Sequence, residues 1–218
     1  MPMSEHVAGP LGILGGTFDP IHFGHLRLAE EARDALGLAT VRVIPAGQPP
    51  HREQPGTGAE DRLNMARLAI AGVPGYELDD SEVVRQSPSY TVLTLRRLRT
   101  ELGAARPLVL ILGADAFLGL PSWHEWEEIL PLAHIAAGTR PGFSLDAAIM
   151  GPVLASLFST AHGSAADLTA PAGRIVPFDM TALDISATGI RATLAAGGSA
   201  RFLLPDAVLD YIETHHLY

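Results

Sequence analysis

Two histidines three residues apart, His22 and His25, lie inside the decad Gly16-Thr17-Phe18-Asp19-Pro20-Ile21-His22-Phe23-Gly24-His25. At that spacing two imidazoles can face one anion, each offering an N–H donor or, when protonated, a positive charge. The decad follows a short apolar run, Leu11 to Leu14, and opens a helical pattern from about Leu26 to Leu36. A glycine turn between a strand and a helix is where α/β proteins place phosphate. The first N–H groups of a helix have no internal partner, and the helix dipole favours negative charge there. Gly16 and Gly24 allow the backbone to approach a ligand closely, and Pro20 fixes the loop before the helix. The same residues read more plainly as a capped helix with satisfied histidines, or as a metal pair. Zinc proteases, however, use His-Glu-x-x-His, with a base between two ligands on one helix face. The spacing here is His-x-x-His without glutamate. Phosphate binding is the stronger reading, and no metal ligand is assigned.

A second turn of the same kind lies near the C-terminal end. Ile185-Ser186-Ala187-Thr188-Gly189-Ile190-Arg191 precedes a helical stretch, Ala192 to Ala196, closed by Gly197 and Gly198. Hydroxyl residues before a helix are ordinary N-caps. Arg191 adds a fork of charged donors to the same helix mouth, a combination that suits a polyphosphate.

Composition narrows the chemistry further. The formal net charge of the 218-residue chain is −9, against a nucleic-acid partner, which would need a basic footprint. All fifteen basic residues are arginine. Without lysine there is no Schiff base, no P-loop lysine and no kinase-type strand lysine. Charge on a phosphate must then be managed by His, Arg, backbone amides and metal. There are no cysteines, hence no disulfide and no thiolate nucleophile, which is compatible with the cytoplasm. The longest apolar runs, such as Leu108 to Leu112, are too short to span a membrane, and Met1 to Pro10 lacks the basic region of a signal peptide.

The elements that must position these residues alternate as a doubly wound parallel α/β sheet requires, in a chain whose length suits one domain. Strands are expected at Leu11–Leu14, Val41–Ile44, Tyr76–Leu78, Leu108–Leu112, Ile135–Ala137 and Ile175–Phe178, with helices at Ala59–Ala71 and Thr91–Leu102. Each motif falls at the carboxyl end of a strand or in the following turn, where such sheets bind ligands. The stretch from about 142 to 173 breaks the pattern. It holds one possible helix, Leu145 to Phe158, and is expected to be a peripheral insertion or mobile loop. A nicotinamide-cofactor dehydrogenase would need Gly-x-Gly-x-x-Gly after the first strand, and Gly15-Gly16-Thr17-Phe18 lacks it. A non-catalytic nucleotide sensor would keep the glycines and lose the histidines or Arg191.

The decad resembles the nucleotidyltransferase signature Gly-x-Phe-x-Pro-x-His-x-Gly-His, matching all its fixed positions. Chance would produce such a match about once in a million chains of this length at average residue usage. Ile185 to Arg191 resembles the Ile-Ser-x-Thr-x-Ile-Arg motif that follows it in adenylyltransferases. Pro45 to Arg52, Ser87 to Val92, Gly113-Ala114-Asp115 with Leu120 to Trp126, and Leu204 to Ile212 resemble segments of the nicotinate-nucleotide adenylyltransferases. Two departures are Arg52 where lysine is common and His124 where tyrosine often sits.

The resemblance implies a Rossmann-like fold of the nucleotidyltransferase type, with ATP and nicotinate mononucleotide as substrates and Mg²⁺ accompanying ATP. It places ATP against Gly15, Gly16, Thr17, Phe18, His22, Gly24, His25, Gly113, Asp115, Ser186, Thr188 and Arg191. It gives the mononucleotide Thr17, Pro45, His51, Arg52, Tyr90, Thr91, Trp123 and His124. His22, His25 and Arg191 are the catalytic expectation. Trp123 is expected to stack on the pyridine ring and Trp126 to be core. The turns at Tyr90-Thr91 and Trp123-His124 are expected to offer helix-start amides to the nicotinate carboxylate. Nicotinamide mononucleotide and phosphopantetheine remain the alternative acceptors. A monomer and a homodimer are equally compatible with the sequence.

Overall fold

The computed structural model describes residues 9–49, 56–85, 87–139 and 145–218. Strand β1 (Leu11–Gly16) leads into helix α1 (Phe23–Leu36), then β2 (Thr40–Pro45), α2 (Ala59–Ala69), β3 (Tyr76–Leu78), α3 (Ser81–Val84) and α4 (Thr91–Leu102). The second half runs through β4 (Leu108–Gly113), α5 (Ala114–Leu118), α6 (Ile129–Leu132), β5 (His134–Thr139), α7 (Ala147–Ala161), β6 (Ile175–Asp179), α8 (Ala187–Ala195) and α9 (Asp206–His215).

The strands form a parallel six-stranded sheet in the order β3-β2-β1-β4-β5-β6. Strand order reverses between β1 and β4, so a crevice opens beyond the carboxyl ends of these two strands. The first five residues of β4 and all six of β5 are buried, because helices cover both faces. Side chains alternate as the pleat demands. Val109 and Ile111 enter the core under α1, α2, α8 and α9, whereas Leu108, Leu110 and Leu112 enter the core under α4, α5 and α7. On α1, Ala29, Ala32 and Leu36 form the buried stripe, and its alanines let the helix lie close to the sheet.

Three expectations change. Helix α1 begins at Phe23, three residues earlier than its apolar period, because His22 adopts an extended conformation and acts as N-cap. Helix α8 begins at Ala187 rather than Ala192, because Ser186 Oγ accepts the Gly189 N–H at 3.1 Å and starts the helix there. Thr188 therefore lies inside the first turn. The described part of the 142–173 stretch is not peripheral. Met150, Leu154, Ala161 and Leu168 are buried, and α7 packs against α5 at the edge of one core cluster. The apolar period misleads here because α7 is two helices joined at Gly151 (φ 69°), with Pro152 just beyond.

Candidate active site

The turn after β1 and the start of α1 form the centre of the site. Phe18 takes a left-handed conformation (φ 51°) and is 2% exposed, so its ring turns inward beneath the loop. The His22 and His25 rings stack with centroids 3.7 Å apart, and Phe18 meets His25 edge-on at 5.1 Å. His25 Nδ1 accepts the backbone N–H of His22 at 3.3 Å. A neutral His25 therefore carries its ring proton on Nε2. His22 is 5% exposed, its Nδ1 is buried with no hydrogen-bond partner among the described residues, and burial pushes its pKa down to about 4. It is neutral at pH 7 in the ligand-free protein. A buried unpaired ring nitrogen is costly, and a ligand can relieve that cost.

The first-turn amides of α1 are unequally used. Phe23 N–H donates to Leu203 O, while His25 and Leu26 N–H donate to His22 O. Among the described residues, Gly24 N–H has no backbone acceptor. Gly24 also lets the second motif come close, since a Cβ there would stand 3.0 Å from the His22 ring and 3.4 Å from Ile185 O. The start of α8 thus lies against the start of α1. Arg191 closes the junction: Nη1 donates to Asp19 O at 2.7 Å and lies 3.8 Å from Asp19 Oδ2, and Nη2 donates to Thr188 Oγ1 at 3.4 Å. The structure brings together Gly16, Thr17, Phe18, His22, Gly24, His25, Ser186, Thr188 and Arg191. Asp115, exposed at the second position of α5, follows Gly113 at the carboxyl end of β4, across the switch point from Gly16.

The other segments expected to hold substrate meet beside this centre. Ser89 Oγ accepts the N–H groups of Gly47 and Gln48 at 3.0 and 3.3 Å, and Ser89 N–H donates to Gln48 O at 2.9 Å. The loop after Pro45 is thereby zipped to the segment that starts α4. A side chain at position 47 is excluded, because a Cβ would fall 2.0 Å from Glu82 O. Tyr90 and His124 pack ring on ring at 4.2 Å, and His124 Nε2 lies 3.0 Å from Glu125 Oε1, while Arg96 of α4 holds the other oxygen, Oε2. His51 and Arg52 lie outside the described residues. Two details correct the expected carboxylate site. The Tyr90 and Trp123 N–H groups are already bonded, to Pro88 O and Leu120 O, whereas among the described residues the Thr91 and His124 N–H groups have no backbone acceptor. Trp123 caps the end of a 3-10 turn, Leu120–Ser122, rather than starting a helix. Both Trp123 and Trp126 are half-buried against the same core, so the contrast drawn between them is not one of burial.

Sequence reasoning missed three residues at the junction. Asp19 is 5% exposed and accepts the Tyr218 hydroxyl at 2.6 Å, and this carboxylate pushes the phenol pKa up together with burial, the larger cause. Arg62 is 1% exposed and its guanidinium donates to Thr17 O and Ala46 O, among others. Arg62 was legible in principle, since it falls on the apolar stripe with Leu63 and Ala66 and an arginine there must be satisfied internally. For Tyr218 no local signal exists.

The cytidylyltransferase-like family model matches residues 13–193. A protein of Dechloromonas aromatica (strain RCB), named "Probable nicotinate-nucleotide adenylyltransferase", is 57% identical over 213 residues, covering 96% of this chain and 97% of its own length. One of the same name from Pseudomonas entomophila (strain L48) is 49% identical over 210 residues, covering 95% and 94%. The solved structure titled "Plasmodium falciparum nicotinic acid mononucleotide adenylyltransferase complexed with NaAD" superposes with a TM-score of 0.72 at 18% identity, covering 96% of this chain and 97% of that one. At that identity the likeness bears on the fold, and it agrees with the strand order and switch-point crevice found here. Helix mouths, strand order and sequence identity converge: the chain belongs to the nicotinate-nucleotide adenylyltransferases, within the cytidylyltransferase-like family.

Proposed function

We propose that the chain transfers the adenylyl group of ATP to nicotinate mononucleotide, forming deamido-NAD and pyrophosphate. One observation carries this reading. The α1 mouth with its histidine pair and the α8 mouth with Ser186, Thr188 and Arg191 are joined through the 2.7 Å bond from Arg191 to Asp19 O. Two phosphate sites in contact fit a substrate cut between its α- and β-phosphates.

In this reading the α-phosphate rests against His22, His25 Nε2–H and Gly24 N–H. The β- and γ-phosphates rest at the start of α8, where Arg191 exchanges part of its hold on Asp19 for the leaving pyrophosphate. The mononucleotide phosphate is already a competent nucleophile, so no covalent intermediate with the protein is needed. Catalysis is positioning plus stabilisation of growing charge. Asp115 is assigned to the ATP ribose hydroxyls. The mononucleotide lies along the Pro45 loop, with Tyr90, Thr91, Trp123 and His124, and the Thr91 and His124 amides suit the nicotinate carboxylate. Among the described residues no three His, Asp or Glu side chains are grouped to hold a metal. Mg²⁺ entering with ATP would supply charge neutralisation beside the histidine pair and Arg191. Among the described residues no helix is long and apolar enough to cross a membrane, and we assign the reaction to the cytoplasm.

Pyrophosphate release with ATP tests the assignment, with nicotinate mononucleotide, nicotinamide mononucleotide and phosphopantetheine supplied in parallel. The first should be the preferred acceptor. Preference for either of the others, or no turnover with any, overturns it.

A further inference from the structure

We propose that Arg62 is a positioning residue that holds the ATP loop and the mononucleotide loop in fixed register. The β1–β2 ladder pairs Gly16 with Pro45, and Ala46 N–H donates to Gly16 O at 2.9 Å. Beyond that bond the two chains part, one into the histidine turn and the other into the Pro45 loop. Arg62, on α2, takes over where the ladder stops. Its Nη1 donates to Thr17 O at 2.7 Å and Ala46 O at 2.5 Å, its Nη2 to Gly47 O at 3.0 Å, and its Nε to Thr57 O at 3.3 Å.

One guanidinium therefore grips the histidine turn and both ends of the 46–57 loop, the loop expected to carry His51 and Arg52. Ser89 Oγ grips that loop from its amide side, so Gly47 is fixed by its N–H and its carbonyl together. Among the described residues no carboxylate lies within ion-pair distance of Arg62, although it is 1% exposed. Its hydrogen bonds all go to backbone carbonyls, with Asp19 acting only as a longer-range charge, so burying the guanidinium there is costly, and an apolar side chain would fill the same core volume. Only a planar fork of donors can converge on carbonyls from two separate loops. Those loops bring the two reacting phosphates together, and misplacement by about an ångström costs about a hundredfold in rate.

This inference rests on the adenylyl-transfer reading, so the wild-type rate tests that reading and the variant-to-wild-type ratio tests Arg62. The Arg62→Lys variant keeps a cation but loses the fork. Dissociation constants for ATP alone and nicotinate mononucleotide alone should stay within about twofold, the scatter of uncoupled changes. The kcat should fall by about a hundredfold. Binding of deamido-NAD, which spans both loops, should weaken by more than the product of the two separate losses. A variant with lowered unfolding stability but unchanged kcat per folded molecule and unchanged deamido-NAD affinity would reduce Arg62 to a core rivet. Should Arg62→Lys not fold, the Arg62 Nε–H resonance of the unmodified protein supplies the test. It should move when ATP or nicotinate mononucleotide binds alone, and a resonance unmoved by both refutes the proposal.

Discussion

ATP binding should make the protein take up a proton at His22. Burial holds His22 at about 4 against an ordinary 6.5, which at 1.36 kcal/mol per pKa unit is a desolvation cost of about 3 kcal/mol for the imidazolium. A phosphate charge about 4 Å from the ring, at an effective dielectric of about 20, attracts the imidazolium by about 4 kcal/mol. The attraction exceeds the cost. The neutral imidazole of the free protein should therefore become an imidazolium against the α-phosphate, supplying charge where the transition state needs it. Two measurements check this. Titration calorimetry at pH 6.5 in buffers of different ionisation enthalpy should show uptake of up to one proton per ATP, and His22→Gln should abolish most of it. Histidine NMR should place the free-protein titration near 4 and move it upward with ATP. The sign on stability follows from the same shift. The unfolded chain accepts the proton at about 6.5 and the native protein refuses it until about 4, so stability falls across that window as pH drops, by about 3 kcal/mol in total. A wild type whose pH–stability curve runs parallel to that of His22→Gln, together with no proton uptake, refutes the reasoning.

Arg191→Ala should weaken ATP by about 10- to 150-fold, the loss of a charge-assisted contact of about 1.5–3 kcal/mol, and leave adenosine monophosphate almost unaffected in equilibrium binding. Equal loss for both nucleotides would move Arg191 away from the β- and γ-phosphates. Gly47→Ala must displace backbone, because its Cβ would meet Glu82 O at 2.0 Å. At an overpacking cost of about 1–3 kcal/mol it should raise KM for the mononucleotide far more than for ATP in steady-state kinetics. Nicotinate mononucleotide should exceed its amide in kcat/KM, because a carboxylate accepts from the Thr91 and His124 amides whereas an NH₂ group faces them as a second donor. Trp123→Ala should lower both values, and unchanged kinetics would make Trp123 core only.

Sequence by itself determined the strands, their parallel winding and the two polar helix mouths, because each is written in local pattern. Five consecutive apolar residues, Leu108 to Leu112, specify a strand buried on both faces, and the histidine decad carries donors, turn and helix start within ten residues. Local pattern misled where a side chain overruled apolar period, as where Ser186 starts α8 five residues early or Gly151 and Pro152 join two helices into α7. Tertiary structure alone decided what lies between the motifs. That the His22 ring is held neutral is decided by burial, which no spacing reveals. Which arginines serve the site is chosen by where the chain folds back: Arg191 onto Asp19, 172 residues away, and Arg62 onto Thr17, 45 residues away. Tyr218 reaches the same carboxylate over 199 residues. Such contacts depend on the sheet bringing distant carbonyls to one point, and a guanidinium or hydroxyl is recruited there only because a buried polar group must be satisfied.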